Sequence, residues 1–436
     1  MIRSMLSAVS SLRNHQTFMD VVANNIANIN TPAFKSSRIG FQELMTQTYN
    51  NGRAPSATMG GVNPLQIGLG MAVGGVDTLF TQGTLQNTGR ASDLAIQGDG
   101  FFIIQNPTNN PPRLYTRDGS FGLDSEGNLV SLATGFRVLG WAADANGVIN
   151  PTVEPLAINI GSGGLERRVT SDVTMAGNLD ASAQVAQGPN DPPEPNFSSV
   201  VSVVDSLGVE HNVKLTFWKT DNANRTWTVR ATSVDPALGY DNTVTPPPPP
   251  VNLGETTLSF TDTGALVYDP ADPTSGIWSL ALTPTGAAAQ TVDFNFRAIT
   301  QLGSSTSVNV KAQDGVPAGS LTGFTIRSDG TIACTYSNGL TRVVGQVALA
   351  RFQNPAGLLR DGQNLYETSA NSGIPVIGAP GTMGLGITTA GSLEMSNVDL
   401  AKQLTDMIIA QRGFQANSRV ITASDQMLSD LVNLAR

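Results

Sequence analysis

The sequence predicts a multidomain α+β chain. Paired N- and C-terminal α-helices enclose a discontinuous β-rich inner domain, which carries an inserted β-rich outer domain of barrel- or sandwich-like type. Three observations lead there. Each end has an amphipathic helical pattern, and the middle holds short apolar runs broken by Gly- and Asn-rich turns. The style of those runs also changes near residue 160 and reverts near 321.

At the N-terminus, Ile2, Met5, Val9, Leu12, Gln16, Met19, Ala23 and Ile26 keep a three-four spacing, which lays one stripe along a helix. Asn24, Asn25 and Asn28 compete for helical hydrogen bonds, and Pro32 disfavours helix at Thr31, so the helix ends near Asn28. At the other end the stripe is Leu400, Leu404, Met407, Gln411, Phe414, Ser418, Ile421, Asp425, Leu428, Val432 and Ala435. Ser396 with Asp399 predicts a capping-box start. Between Met1 and Asn30 the charged side chains are Arg3, Arg13 and Asp20. A two-stranded coiled coil in water would carry Glu and Lys beside its seam. Small and amide side chains all round instead predict several faces against protein, in termini made for other copies of themselves. A single stripe of this kind commonly marks plain core. Two of them, at opposite ends of a β-rich chain, weigh against that, because one domain would distribute its helices.

The first connecting stretch is rich in glycine from residue 50 to 75 and reads as extended or irregular. Strand signals begin at Val76. Leu94–Gln97 leads through Gly98-Asp99-Gly100 to Phe101–Ile104, and Asp124–Asn128 is a further turn. Asn146-Gly147 and Asn338-Gly339 read as two-residue hairpin turns of type I′. Past residue 160 come a glycine loop at Gly161–Gly164, a Pro-rich insertion from Gln187 to Pro195, and five prolines at Pro246–Pro250. Val213, Leu215 and Phe217 are answered by Trp227, Val229 and Ala231, a hairpin with one buried face. Trp278, Leu280 and Leu282, then Val292, Phe294 and Phe296, continue the pattern. The expected layout is 1–35 with 395–436 as a helical assembly domain, and 36–75 as a Gly-rich connector. A β-rich domain follows, split into 76–160 and 321–394, with 161–320 inserted as the outer β-domain.

Composition narrows the function. The net charge of −9 offers no basic patch for phosphates, which argues against nucleic acid. No run is apolar for the 18 residues or more that a membrane span needs. The N-terminus lacks a cleavable secretory pattern, which by itself would indicate the cytoplasm. The single cysteine, Cys334, lies in a strand-like run and reads as a small buried residue; His15 and His211 lack neighbouring ligands and read as incidental. Asp124–Asn128 lacks a full calcium loop. No catalytic constellation, cofactor-binding motif or metal site emerges, so the chain reads as no enzyme and needs no cofactor.

The residues now meet a family. Asn24-Asn25-Ile26-Ala27-Asn28 with Asn30-Thr31-Pro32-Ala33-Phe34-Lys35 resembles the N-terminal signature of the bacterial flagellar rod and hook proteins, which often carry Gly where Ala33 stands. The motif positions are Asn24, Asn25, Asn28, Asn30, Thr31, Phe34 and Lys35. Asp93–Phe102 and Tyr115–Gly119 look like the start of that family's β-domain. Ser396–Leu400 and Ala410–Asn417 are similar to its C-terminal helix. Residues 161–320 carry no comparable motif, but their length is that of hook-type members, since distal rod proteins are usually much shorter.

What the resemblance implies is a structural subunit of the flagellar hook. It would polymerise with itself into a flexible curved tube, a universal joint passing motor torque from rod to filament. Implied partners are the hook cap, the distal rod, the hook–filament junction proteins and the flagellar type III export apparatus. Export would leave the N-terminus uncleaved and place the chain outside the cell. The expected assembly seam is Ile2, Met5, Val9, Leu12, Met19, Ile26, Leu400, Leu404, Met407, Phe414, Ile421, Leu428 and Val432. Helices of about 30 residues would span roughly 45 Å and could line an inner tube. Heterologous contacts that do not close generate a helical filament. The connector and the chain crossings near 160 and 320 would act as hinges. Two other readings stay open: a distal-rod-type axial protein, or an axial scaffold displaying a surface-binding β-module, for which Trp218, Trp227 and Trp278 would have to be exposed.

Overall fold

A computed structural model describes residues 2–434 except 56–57, 106–112, 145–146, 162–164, 187–194 and 240–249. Most of the Pro-rich insertion, most of the five-proline run, most of the Gly161–Gly164 loop and Asn146 of the first expected hairpin turn lie outside the described residues. The chain forms two compact units. One comprises Met1–Ser162, Phe324–Cys334 and Arg342–Arg436, and the other Gly163–Gly323 with Thr335–Thr341.

In the first unit, helix α1 spans Ile2–Ala27 and helix α2 spans Leu400–Leu434. α1 stops where the asparagines begin to bond locally: the Asn28 side chain donates to the Asn24 carbonyl, and the Thr31 hydroxyl donates to Asn28 Oδ1. At α2 the expected capping box is displaced. Asp399 is itself the cap, its Oδ1 accepting from the Lys402 N–H at 3.2 Å, and the helix starts one residue later. The stretch expected as connector is extended but paired. Ser37–Glu43 runs antiparallel to Met71–Thr78, and Thr46–Asn50 to Leu65–Gly68.

One sheet forms the β-body and draws on both halves of the sequence. Phe101–Gln105 pairs with Arg113–Thr116 on one side. On its other side lie Leu349–Arg351 and Arg137–Ala142. Leu365–Glu367 extends the sheet beyond Arg113–Thr116. Its core holds Phe101, Tyr115, Trp141, Phe352 and Tyr366, with Tyr115 and Phe352 edge to face at 4.8 Å. Nearby, Ile387–Ala390 pairs with Leu94–Gln97, and Ser392–Glu394 with Leu85–Asn87. The last strand before α2 is thus held by N-terminal residues.

The second unit has two four-stranded sheets around one core. One sheet is ordered Phe197–Val204, Glu210–Asp221, Thr226–Ser233, Val251–Ser259, all antiparallel. The expected hairpin is its centre, with Leu215 opposite Ala231 and Phe217 opposite Val229. The other sheet is ordered Ile277–Leu282, Gln290–Leu302, Asp172–Asp180, Asn309–Gln313, and its two central strands are parallel. Both sheets are open, so the barrel half of the barrel- or sandwich-like expectation is corrected; closure would need the edge strands to pair. Val213, Phe217, Trp227 and Val229 from one sheet share a core with Val173, Leu280, Val292, Phe294 and Phe296 from the other. Phe294 is fully buried between Trp278 and Phe296. Phe294→Ala is expected to cost this unit about 3–5 kcal/mol, seen as a lower midpoint in urea unfolding of the full chain.

Asn338-Gly339 is a turn, but not type I′. Gly339 alone of the two has positive φ, at 81°, and its N–H donates to the Tyr336 carbonyl. Asn338 instead spends its side-chain amide on the carbonyls of Glu166 and Pro317, each at 2.8 Å.

Candidate assembly surface and the buried junction that orients it

α1 and α2 pack along each other, and the fully buried positions of α2 are small or polar. Gln403, Ala410 and Ser424 are buried on α2; with half-buried Asn417 they fall seven residues apart, the repeat of a left-handed seam. α1 contributes buried Ala8, Val22 and Asn25 to its inward faces. Close approach is set at Gly413, where an added Cβ would lie 2.6 Å from the His15 ring. His15 is therefore a packing residue. Gly413→Val is expected to destabilise the helix pair by about 1–3 kcal/mol through overpacking. His15→Ala in the same chain should recover part of that loss in urea unfolding.

The expected seam is placed as follows. Met5, Val9, Leu12, Met19 and Ile26 of α1 are half-buried, as are Met407, Ile421 and Leu428 of α2. Leu400, Leu404, Phe414 and Val432 are exposed. The side chain of Ile2 and all of Ala435 lie outside the described residues. The stripe read from the sequence is thus turned away from the true α1–α2 contact by about one helical position. Ile408, Ile409, Val420, Met427 and Leu431 add to the exposed apolar surface of α2.

What holds the two helices to the β-body is a buried ionic junction. Lys35 Nζ donates to Glu394 Oε1 at 2.6 Å and to the Thr81 carbonyl at 2.8 Å. Arg117 reaches Glu394 Oε2 at 3.2 Å and the Gly98 carbonyl at 2.7 Å. The Gly83 N–H adds a bond to Glu394 Oε1 at 2.9 Å, and a Cβ on Gly83 would strike the Met395 carbonyl at 2.0 Å. Lys35 and Glu394 have no solvent exposure, and Arg117 almost none. Burial chiefly, with the Arg117 charge, draws the Lys35 amine below its usual range, against the pull of Glu394. Two buried cations thus depend on one carboxylate.

The family-motif residues surround this junction. Asn25 is buried; its Oδ1 accepts from the Ser37 N–H at 2.9 Å, and its amide donates to the Ser37 carbonyl at 2.8 Å and to Gln403 Oε1 at 3.0 Å. Asn397 does the same from the α2 side, with its Oδ1 on the Ser36 N–H and its amide on the carbonyls of Leu79 and Thr81. Phe34 is buried under the Arg360 guanidinium, 5.5 Å from its ring centroid. Ala33 sits at φ 57° and donates to the Glu394 carbonyl at 2.7 Å. The turn survives without glycine, at the roughly 1–2 kcal/mol that left-handed backbone costs an L-residue. Asn28 and Thr31 are half-buried, and Asn24 and Asn30 exposed.

Other expectations resolve locally. Cys334 is fully buried, and burial pushes its thiol up to about 11. Both Asp124 oxygens are engaged by their own turn: Oδ1 accepts the Glu126 and Asn128 N–H groups, and Oδ2 accepts the Asn128 amide. Trp218 and Trp227 are buried and Trp278 half-buried, so the aromatics needed for a surface-binding module point mainly inward. His211, read as incidental, is held between two carboxylates, Asp205 at 3.0 Å and Asp235 at 2.8 Å. Among the described residues, no helix is long and apolar enough to cross a membrane.

This arrangement, rod-type ends joined to a split β-body, is that of a flagellar axial protein. Residues 5–35 match the flagella basal body rod protein family, and 389–434 match the flagellar basal body rod FlgEFG protein C-terminal family. Residues 95–177 match the flagellar hook protein FlgE/F/G D1 domain, and 177–316 the flagellar basal body protein FlaE D2 domain. The flagellar hook protein FlgE of Treponema pallidum is 37% identical over 478 residues, covering 100% of both chains. That of Borreliella burgdorferi is 39% identical over 453 residues, again covering 100% of both. The chain belongs to the flagellar hook protein family. A more distant relative, the flagellar basal-body rod protein FlgG of Bacillus subtilis, is 29% identical and also covers 100% of both chains, so length alone does not separate hook from rod names.

Proposed function

We propose that this chain is the hook's structural subunit and that it polymerises through the exposed apolar face of α2 together with α1. The carrying observation is that face, left unpartnered in a single chain whose full length resembles hook proteins. In this reading the seam residues meet neighbouring copies, and the Lys35–Glu394–Arg117 junction fixes the helices' orientation for docking. The terminal helices form the assembly domain, the split β-body surrounds them, and the inserted unit is the outer domain. Residues 36–75 and the chain crossings near 160 and 320 supply the give that a bending tube needs. Export proceeds through the flagellar type III apparatus without cleavage, and growth occurs under a cap, between distal rod and junction proteins. A distal-rod role is kept as a second reading because of the full-length likeness to a rod-named relative. Complementation separates the two. In a strain of the source organism lacking this gene, the chain should restore curved hooks under the electron microscope; straight rod segments alone would favour the rod reading.

A further inference from the structure

His211 lies in the second unit, on the strand Glu210–Asp221, and is 3% exposed. Both of its ring nitrogens face carboxylates. Nε2 is 3.0 Å from Asp205 Oδ2, and Nδ1 is 2.8 Å from Asp235 Oδ2. A neutral imidazole carries one N–H and one lone pair, so it can satisfy one of these contacts and must oppose the other. Only the imidazolium donates to both.

Protonating a carboxylate instead is disfavoured, because the second oxygen of each is occupied by backbone donors. Asp205 Oδ1 accepts the N–H groups of Leu207 at 2.8 Å and Val209 at 2.9 Å. Asp235 Oδ1 accepts the Ala237 N–H at 2.9 Å. Such donors stabilise the ionised carboxylate. The proton therefore belongs on His211.

The three residues come from three chain segments at the ends of neighbouring strands of one sheet. Asp205 opens the turn after Phe197–Val204, His211 begins the next strand, and Asp235 follows Thr226–Ser233 and caps the short helix Pro236–Leu238. We infer that Asp205, His211 and Asp235 form a charge clamp that ties these strand ends together while His211 is protonated and releases them when it loses that proton.

Asp205 and Asp235 are the charges acting on the ring, and its partner across the neighbouring strand is the apolar Val203. Burial alone would push the imidazole down. The hydrogen bonds and charges of the two carboxylates outweigh it and raise it above the ordinary 6.5. Burial likewise opposes ionisation of Asp205, but bonds from His211, Val209 and Leu207 prevail and hold it below 3.8. The signs then follow. A raised histidine gives stability that is complete below about 6.5 and is lost as pH rises through its higher folded value. A depressed aspartate gives stability lost as pH falls through its lower folded value. The clamp is closed below about 6.5 and opens as pH rises through the raised value of His211.

The test uses the full-length monomer with ring-labelled histidine, whose two signals are assigned with His15→Gln. The His211 signal should keep its imidazolium position past pH 6.5 and titrate above it, and Asp235→Asn should lower that midpoint. The thermal midpoint of the second unit should fall as pH rises above 6.5 in the native chain, and less so in His211→Gln. A His211 midpoint at or below 6.5 in the native chain would overturn the clamp, whether or not the variants fold. So would an alkaline loss of stability that His211→Gln shares in full.

Discussion

Glu394→Ala is expected to lower the stability of the unit carrying the terminal helices by about 3–5 kcal/mol, measured by urea unfolding of the full chain. The change removes the one carboxylate that Lys35 and Arg117 share, and strands two cations with negligible exposure. It also frees the Gly83 N–H, a third donor. The loss should exceed that of Lys35→Met, which removes a cation and leaves Glu394 still paired with Arg117. A triple replacement of Lys35, Arg117 and Glu394 by methionine should cost less than Glu394→Ala alone, because an apolar trio carries no unpaired charge. Equal losses in the single and triple variants would show that packing, and not charge, holds the junction.

The second large effect separates folding from assembly. Phe414 is 38% exposed in the single chain, so Phe414→Asp should leave the monomer's melting midpoint almost unchanged. In a polymer the same carboxylate would be buried without a partner at every subunit contact, at several kcal/mol each. Polymerisation should therefore fail while both units stay folded. Normal polymer from Phe414→Asp would remove this face of α2 as the assembly element and return the stripe to a plain structural role.

Much of the fold was legible because its signals are local. The asparagines that end α1 and the alternation that makes the Glu210–Ser233 hairpin act within a few residues. The failures share a different cause. Periodicity locates an apolar stripe on α2, but the contact with α1 runs through the small and polar Gln403, Ala410, Gly413 and Ser424, which no stripe marks. The small residues decide that, by letting the helices approach. The Lys35–Glu394 pair is not legible in the sequence because its members are 359 positions apart. A lysine inside an otherwise apolar and amide motif was the available clue, since a buried cation requires an anion. His211 carries no ligand pattern in the sequence, although Asp205 lies six residues before it; only the turn between them shows that they meet. Asn338 missed its turn type because its side chain serves Glu166 and Pro317, which no local pattern reveals.

The central claim is that the exposed apolar face of α2 is covered by other copies of this chain. A cryo-EM reconstruction of polymer grown from the purified protein tests it most directly. The account predicts α1 and α2 lining the inner wall, with Leu404, Phe414 and Val432 buried between subunits and the Lys35–Glu394–Arg117 junction intact within each. A polymer in which those three side chains stay open to solvent, with subunits joined through the β-rich units alone, would contradict it.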